Sequence, residues 1–273
     1  MSYSMFRTPA HTVLVAILSL QALHVELHAQ SPYRLGATGE ILLLSGGGVA
    51  TVAGVVAQRS LQGFTPEEIA SLSRGDVNPF DRGATWQYSQ GAGTASDYLV
   101  YGLIAAPVAA LVDDQVGADW HTYLVMYAEA MLLTGATVQL VKPLVGRTRP
   151  YAYNDLVPLE AKTGPDTRMS FYSSHTAFAF TSAVFLGTTY ADYFPHSTWR
   201  PWVWAIALTT ATAVGVLRYA AGEHFPSDIL LGAAMGAGVG YAVPALHRCS
   251  TEDLSVIPAA GVRAFQVSLV YRF

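Results

Sequence analysis

Charge is scarce in this chain, and lysine scarcer still. Of its 273 residues 12% are charged, against roughly 25% in ordinary soluble domains, and the two lysines are Lys142 and Lys162. A net charge of −4, with no basic stripe or tail, excludes a nucleic-acid-binding footprint. The single cysteine, Cys249, excludes an internal disulfide framework and a cysteine-rich zinc centre. There is no HExxH pattern and no local cluster of acidic ligands, so nothing in the sequence marks a catalytic metal or a cofactor. Internal repeats and low-complexity tracts are also missing.

What is present is apolar: 52% hydrophobic residues and a mean hydropathy of +0.32. Six apolar segments run over 36–57, 97–113, 121–141, 174–190, 202–221 and 228–246. Each suits a helix, and most approach the ~20 residues a membrane span needs. Ala, Gly, Ser and Thr are frequent in them, which lets helices pack closely in a membrane. The fold expected is all-α, a six-helix apolar bundle embedded in a membrane. Two connections are long, 58–96 and 143–173, and loops of that length in a compact domain are often functional. The first carries the turn sequence Asn78-Pro79-Phe80-Asp81-Arg82.

The two ends differ from this pattern. Arg7, the short apolar run Val13–Leu23 and Leu27-His28-Ala29 before Gln30 read as an export signal, so residues 1–29 are expected to be cleaved and 30–248 to form the domain. From Phe265 onward apolar and polar residues alternate, the period of a strand. Residues 249–273 are therefore read as a strand tail, a short β-hairpin with 254–258.

Three groups of residues at segment ends carry chemistry. In the first, Lys142 and Arg149 stand seven apart, and Pro150 biases Arg149 away from helix, so the chain turns back and both cations can face one point. Arginine suits bidentate contact with phosphate oxygens, and lysine acts as a point charge. As an isolated pair they would equally suit snorkelling at a membrane surface. Arg147 between them reads as a solvated spare.

In the second group, Ser173-Ser174-His175 opens a segment. Serine there can cap a helix, and the free N–H groups of the first turn can bind an anion, with His175 beside it. In the third, Arg218 is followed by His224, and Asp228 falls four residues later. Pro226 fits a helix start, from which Asp228 can reach back to His224, fix its tautomer and leave the other nitrogen free to attack.

In this order the groups resemble the type 2 phosphatidic acid phosphatase superfamily, whose signature is K-x6-R-P, P-S-G-H and S-R-x5-H-x3-D. The likeness covers roughly residues 100–245. It implies that Lys142, Arg149 and Arg218 hold a phosphate and stabilise its charge. His224 would be the nucleophile that forms a phosphohistidine, with Asp228 as its orienting partner. His175 would protonate the leaving oxygen and then activate water. Ser173 and backbone N–H groups near Ser174 would complete the anion hole, and no metal or cofactor would be needed. Two departures stand out: Tyr172 and Ser174 replace the proline and glycine of the second motif, and Leu217 replaces the serine before Arg218.

The activity implied is hydrolysis of phosphate monoesters or pyrophosphates, with phospholipid or polyprenyl phosphate substrates and the membrane as partners. A vanadium-dependent haloperoxidase, using the same cation cage, and an inactive membrane scaffold on the same fold are the alternatives, and a transporter ranks last. The resemblance favours a bacterial-type envelope with the site facing the exterior. A cleaved signal and six full spans would place it inside, unless segment 36–57, with Glu40 and Gly46-Gly47-Gly48, does not cross.

Overall fold

Apolar segments become long helices even where a proline falls inside them, as Pro107 and Pro244 do, and Ser89 and Ser173 cap two of the starts. The computed structural model describes residues 31–249 in full and the backbone of 254–261 and 264–271; the export signal expected over 1–29 lies outside the described residues. The α-helices are α1 (Ala37–Arg59), α2 (Pro66–Ser71), α3 (Gln90–Ala109), α4 (Asp114–Ala118), α5 (Trp120–Val145), α6 (Leu159–Lys162), α7 (Ser174–Tyr193), α8 (Arg200–Ala220) and α9 (Pro226–His247). Nine rather than six are thus found among the described residues. The six with 20 or more residues, α1, α3, α5, α7, α8 and α9, are the apolar segments. The other three are short pieces in the connections. They escape hydropathy reading because each is a few residues held by a cap or a local turn, such as the Thr65–Glu68 capping box that opens α2.

The second segment begins earlier than its hydropathy suggests. Ser89 accepts from Ala92 N at 3.2 Å and starts α3 at Gln90, so a first turn of small and polar residues is helical without any apolar signal. At the C-terminus, β1 (Leu254–Gly261) pairs antiparallel with β2 (Ala264–Tyr271), Leu254 opposite Tyr271, which is the hairpin expected there.

α7 is the interior helix. It packs against α9, α8 and α3, and Ala177, Ala179, Ala183 and Phe185 are fully buried. Its hydroxyls are satisfied inside the bundle: Thr181 Oγ1 lies 2.8 Å from Thr134 Oγ1 and donates to Ala177 O at 2.9 Å. Closeness to α9 depends on small residues, since a Cβ on Gly236 would lie 2.1 Å from Ala177 O.

Among the described residues five stretches are long and apolar enough to cross a membrane: Ala37–Arg59, Gln90–Val112, Trp120–Tyr153, Arg200–Ala220 and Pro226–His247. α1, from segment 36–57, is one of them. It leans on α5 and exposes Ile41, Leu42, Val49, Val52 and Val56. α8 exposes Trp202, Ile206 and Val216 in the same way. Apolar surface on this scale fits lipid rather than water. The fold is an all-α bundle of the membrane class.

Candidate active site

Three local devices bring the motif residues to one end of the bundle. Lys142 sits in the last turn of α5, which stops at Gly146. That residue takes the left-handed φ of 59°, donates to Lys142 O at 3.0 Å and turns the chain back, as only glycine does at low cost. Pro150 then holds Arg149 extended, φ −72° and ψ 151°, and Arg149 N donates to Thr167 O at 2.8 Å.

The second device joins α8 to α9. Gly222 has φ 74°, and a Cβ there would lie 2.2 Å from Gln87 O; its carbonyl accepts from Tyr151 N at 2.9 Å. The turn is therefore pressed against both long connections, with Arg218 before it and His224 after it. The third device is Ser173, which caps α7: its Oγ accepts from Thr176 N at 3.4 Å and from Thr176 Oγ1 at 2.9 Å. Ser173 N donates to Asp228 O at 3.1 Å, which ties the start of α7 to the start of α9.

The cations converge, and carboxylates hold them. Arg149 pairs with Asp166 at 2.8 Å and with Glu223. Arg218 shares Glu223 at 3.3 Å and reaches Asp97 at 3.6 Å. His175 Nε2 lies 2.8 Å from Asp97 Oδ1. Lys142 Nζ donates to Met169 O at 3.0 Å. Glu223 thus bridges two arginines, and Asp97 bridges Arg218 to His175. A phosphate oxyanion placed among Lys142, Arg149 and Arg218 would meet donors already gathered, and would displace acids to do so. Ser174 lines a cavity of about 280 Å³ together with Lys142 and Asp166. Ser173 is fully buried beneath it and orders the helix start instead of facing that cavity.

His224 is wholly buried, and neither ring nitrogen has a hydrogen-bond partner. Burial, followed by the nearby charges of Arg149, Lys142, Arg218 and His175, holds its pKa well below the ordinary histidine value. It is neutral and has a lone pair to offer. His175 is pushed down to about 4 by burial and then by Arg218, with Asp97 opposing.

Two expectations are corrected. Asp228 does not hydrogen-bond His224: Oδ2 lies 3.7 Å from Nδ1, beyond the roughly 3.2 Å reach of such a bond. Its oxygens are taken by Ser170 Oγ at 2.5 Å, Phe225 N at 3.0 Å and Arg147 Nη1 at 2.5 Å. Nor is Arg147 a solvated spare. It spans Asp228 and Asp81, the latter at 2.8 Å, and donates to Ser227 Oγ at 2.8 Å, while its guanidinium covers the Phe225 ring at 4.1 Å. Asp81, from the Asn78–Arg82 turn, is itself buried. Burial raises its pKa, but hydrogen bonds from Ser227, Asn78 and Arg147 outweigh that and hold the carboxyl below the usual range.

Residues 123–251 match the family model described as the PAP2 superfamily, and every motif residue named above lies inside those limits. That segment is similar to the PAP2 superfamily. Outside it lie Asp81 and Asp97, which join the site from the first long connection and from α3. Two curated relatives resemble the chain. "Lipid A 1-phosphatase" of Porphyromonas gingivalis is 31% identical over 45% of this chain and 23% of its own length. "Probable diacylglycerol pyrophosphate phosphatase 1" of Schizosaccharomyces pombe is 30% identical over 41% of this chain and 48% of its own. The chain therefore spans about a quarter and about half of these relatives. Among solved structures, a transmembrane PAP2-type phosphatidylglycerolphosphate phosphatase from Bacillus subtilis matches with 19% identity and a TM-score of 0.40, covering 87% of this chain and 94% of that one.

Asp97, Asp166, Glu223, Ser170, Arg147 and Asp81 were not singled out as site residues by sequence reasoning. Two signals existed: Glu223 adjoins His224, and Arg147 stands inside the first motif.

Proposed function

We propose that the chain hydrolyses phosphate esters or pyrophosphates of membrane lipids through a phosphohistidine on His224, without a metal in the chemical step. The observation that carries this reading is a neutral, buried histidine facing three gathered cations, with a second histidine beside them, at one end of a membrane-type bundle. In the first step a His224 nitrogen forms a bond to phosphorus while the ester P–O bond breaks. Lys142, Arg149 and Arg218 spread the charge on the equatorial oxygens. His175 gives its proton to the leaving oxygen, then takes one from the water that cleaves the P–N bond, releasing inorganic phosphate and restoring His224.

Lipid substrates are supported by the relatives' names and by the surface. An apolar groove of about 450 Å³ runs along Phe80, Phe180, Val216, Tyr219, Ile229 and Leu230. Tyr219 follows Arg218 in the chain, so an acyl or polyprenyl tail laid in the groove would bring its phosphate towards the cations.

The test is phosphate release by purified protein from phosphatidic acid, phosphatidylglycerol phosphate, undecaprenyl pyrophosphate and p-nitrophenyl phosphate. We expect release from at least one lipid, unchanged by EDTA, and a loss of at least ~10³-fold in His224→Ala. Near wild-type activity in that variant would overturn the mechanism; turnover of soluble esters alone would overturn the lipid reading. Halide oxidation after vanadate addition would reassign the site to peroxidase chemistry.

A further inference from the structure

A second cluster of ionisable groups lies at the other end of the bundle. Glu40 comes from the first turn of α1, Glu129 from the first half of α5 and His247 from the last turn of α9. Along α9, His247 is 19 residues beyond Asp228, which at ~1.5 Å per residue puts it ~28 Å from the catalytic end. The cluster takes no part in the proposed reaction, and this inference does not rest on that reading.

Glu129 is wholly buried and neither of its carboxylate oxygens makes a hydrogen bond; Glu40 Oε2 is also buried and unsatisfied. Among the described residues the basic group paired with these carboxylates is His247, whose Nε2 lies 3.1 Å from Glu40 Oε1 and 3.3 Å from Glu129 Oε2. Two carboxylates in an apolar interior cost several kcal/mol each unless their charge is cancelled.

Three features suit a bound cation. The other imidazole nitrogen, Nδ1, is 2.8 Å from Val243 O, an acceptor that can hold its N–H and so leave Nε2 to coordinate an ion. A backbone carbonyl holding the far N–H is the usual support of a metal-binding histidine. Next, the three donor atoms lie within 4.8 Å of one another, and Nε2 stands 3.1 and 3.3 Å from the two oxygens. Four-coordinate zinc with bonds of ~2.0–2.1 Å requires ~3.3 Å between ligand atoms. Last, two carboxylates and a neutral imidazole bring a divalent ion to zero net charge, which is what an apolar interior demands.

We propose that Glu40, Glu129 and His247 form a structural site for a divalent transition metal of the zinc type, which fastens the start of α1 to α5 and α9. Mixed imidazole and carboxylate ligands favour zinc over magnesium or calcium, which take oxygen ligands alone.

The experiment uses the full chain in detergent with any affinity tag removed. After incubation with Zn²⁺ and desalting, we expect about one zinc per chain by elemental analysis, a Tm that rises with Zn²⁺ and falls on chelation, and visible d–d bands on Co²⁺ substitution. Glu129→Gln and His247→Gln should bind less than a tenth as much zinc while keeping phosphatase activity before chelation. Should either variant fail to fold, the wild-type stoichiometry and Co²⁺ spectrum still decide. Wild-type binding below a tenth of an equivalent, or variants that bind as the wild type does, would overturn the site. A Glu129→Gln Tm above that of a wild type that binds no zinc would identify a buried proton-sharing triad instead.

Discussion

At the scale of single residues, burial and neighbouring cations hold both histidines neutral, but the two differ in one partner, and that difference is testable. His224 is isolated by burial among cations, whereas His175 keeps one carboxylate partner, Asp97, that favours its protonated form. A general acid must carry a proton, so kcat/KM should fall as pH rises through the His175 pKa, which for the free protein stands at about 4. Bound phosphate adds negative charge, so the limb in kcat should lie higher. Asp97→Asn removes the group that pulls this pKa upward, and should move the kcat/KM limb to lower pH. Rate profiles from pH 3.5 to 8 in both proteins check it; an unmoved limb would mean that Asp97 does not act through His175. The motif residues themselves were legible in the sequence because each is fixed by spacing. Asp97, Asp166 and Glu223 were not, since a carboxylate shows no local sign of the cation that it will meet after folding.

At the scale of elements, Arg147 joins three of them: the turn after α5, the start of α9 and the Asn78–Arg82 turn. Its position in the first motif suggested a free cation, yet the left-handed Gly146 aims it away from the cage and into the carboxylates behind His224. It touches no reacting atom, and the role expected of it is to hold Asp228, which accepts from Phe225 N in the turn that carries His224. Arg147→Lys keeps the charge and loses the fork that holds two acids at once. Loss of such support costs ~10–100-fold where it has been measured at metal sites. Here it should appear in kcat, with KM within ~3-fold of wild type. A variant in which KM rises and kcat holds would instead place Arg147 among the phosphate ligands. The helices were legible from hydropathy, and their starts wherever a cap or proline marks them. The opening turn of α3 was hidden because small polar residues carry no periodic signal.

At the scale of the molecule, the long helices alternate in direction, so α1 runs towards the catalytic end and α9 runs away from it. Two sequence expectations then collide. If every long helix crosses the membrane, a cleaved export signal puts the start of α1 outside and the catalytic end inside, whereas the family resemblance favours an outward-facing site. The single Cys249, exposed just beyond α9, reports which holds. For an outward-facing catalytic end, a membrane-impermeant maleimide should leave Cys249 unlabelled in intact cells and modify it after lysis. Labelling of intact cells would put the catalytic end in the cytoplasm and restrict substrates to that leaflet. Topology resisted sequence reading because it is a property of all the helices together, and a change in one reverses every later one. The Glu40–Glu129–His247 cluster was hidden for the same reason, its members being 89 and 118 residues apart in a chain that shows no local ligand pattern.

The carboxylates that occupy the cations have a consequence for turnover. With Asp97, Asp166 and Glu223 seated on Arg149, Arg218 and His175, the proposed reaction would run as an ion exchange. A phosphate would enter by swapping places with internal anions, and the same anions would reclaim their partners as inorganic phosphate departs. Such an arrangement gives up some affinity at entry and recovers it at exit, limiting the product inhibition that a bare triad of cations would invite.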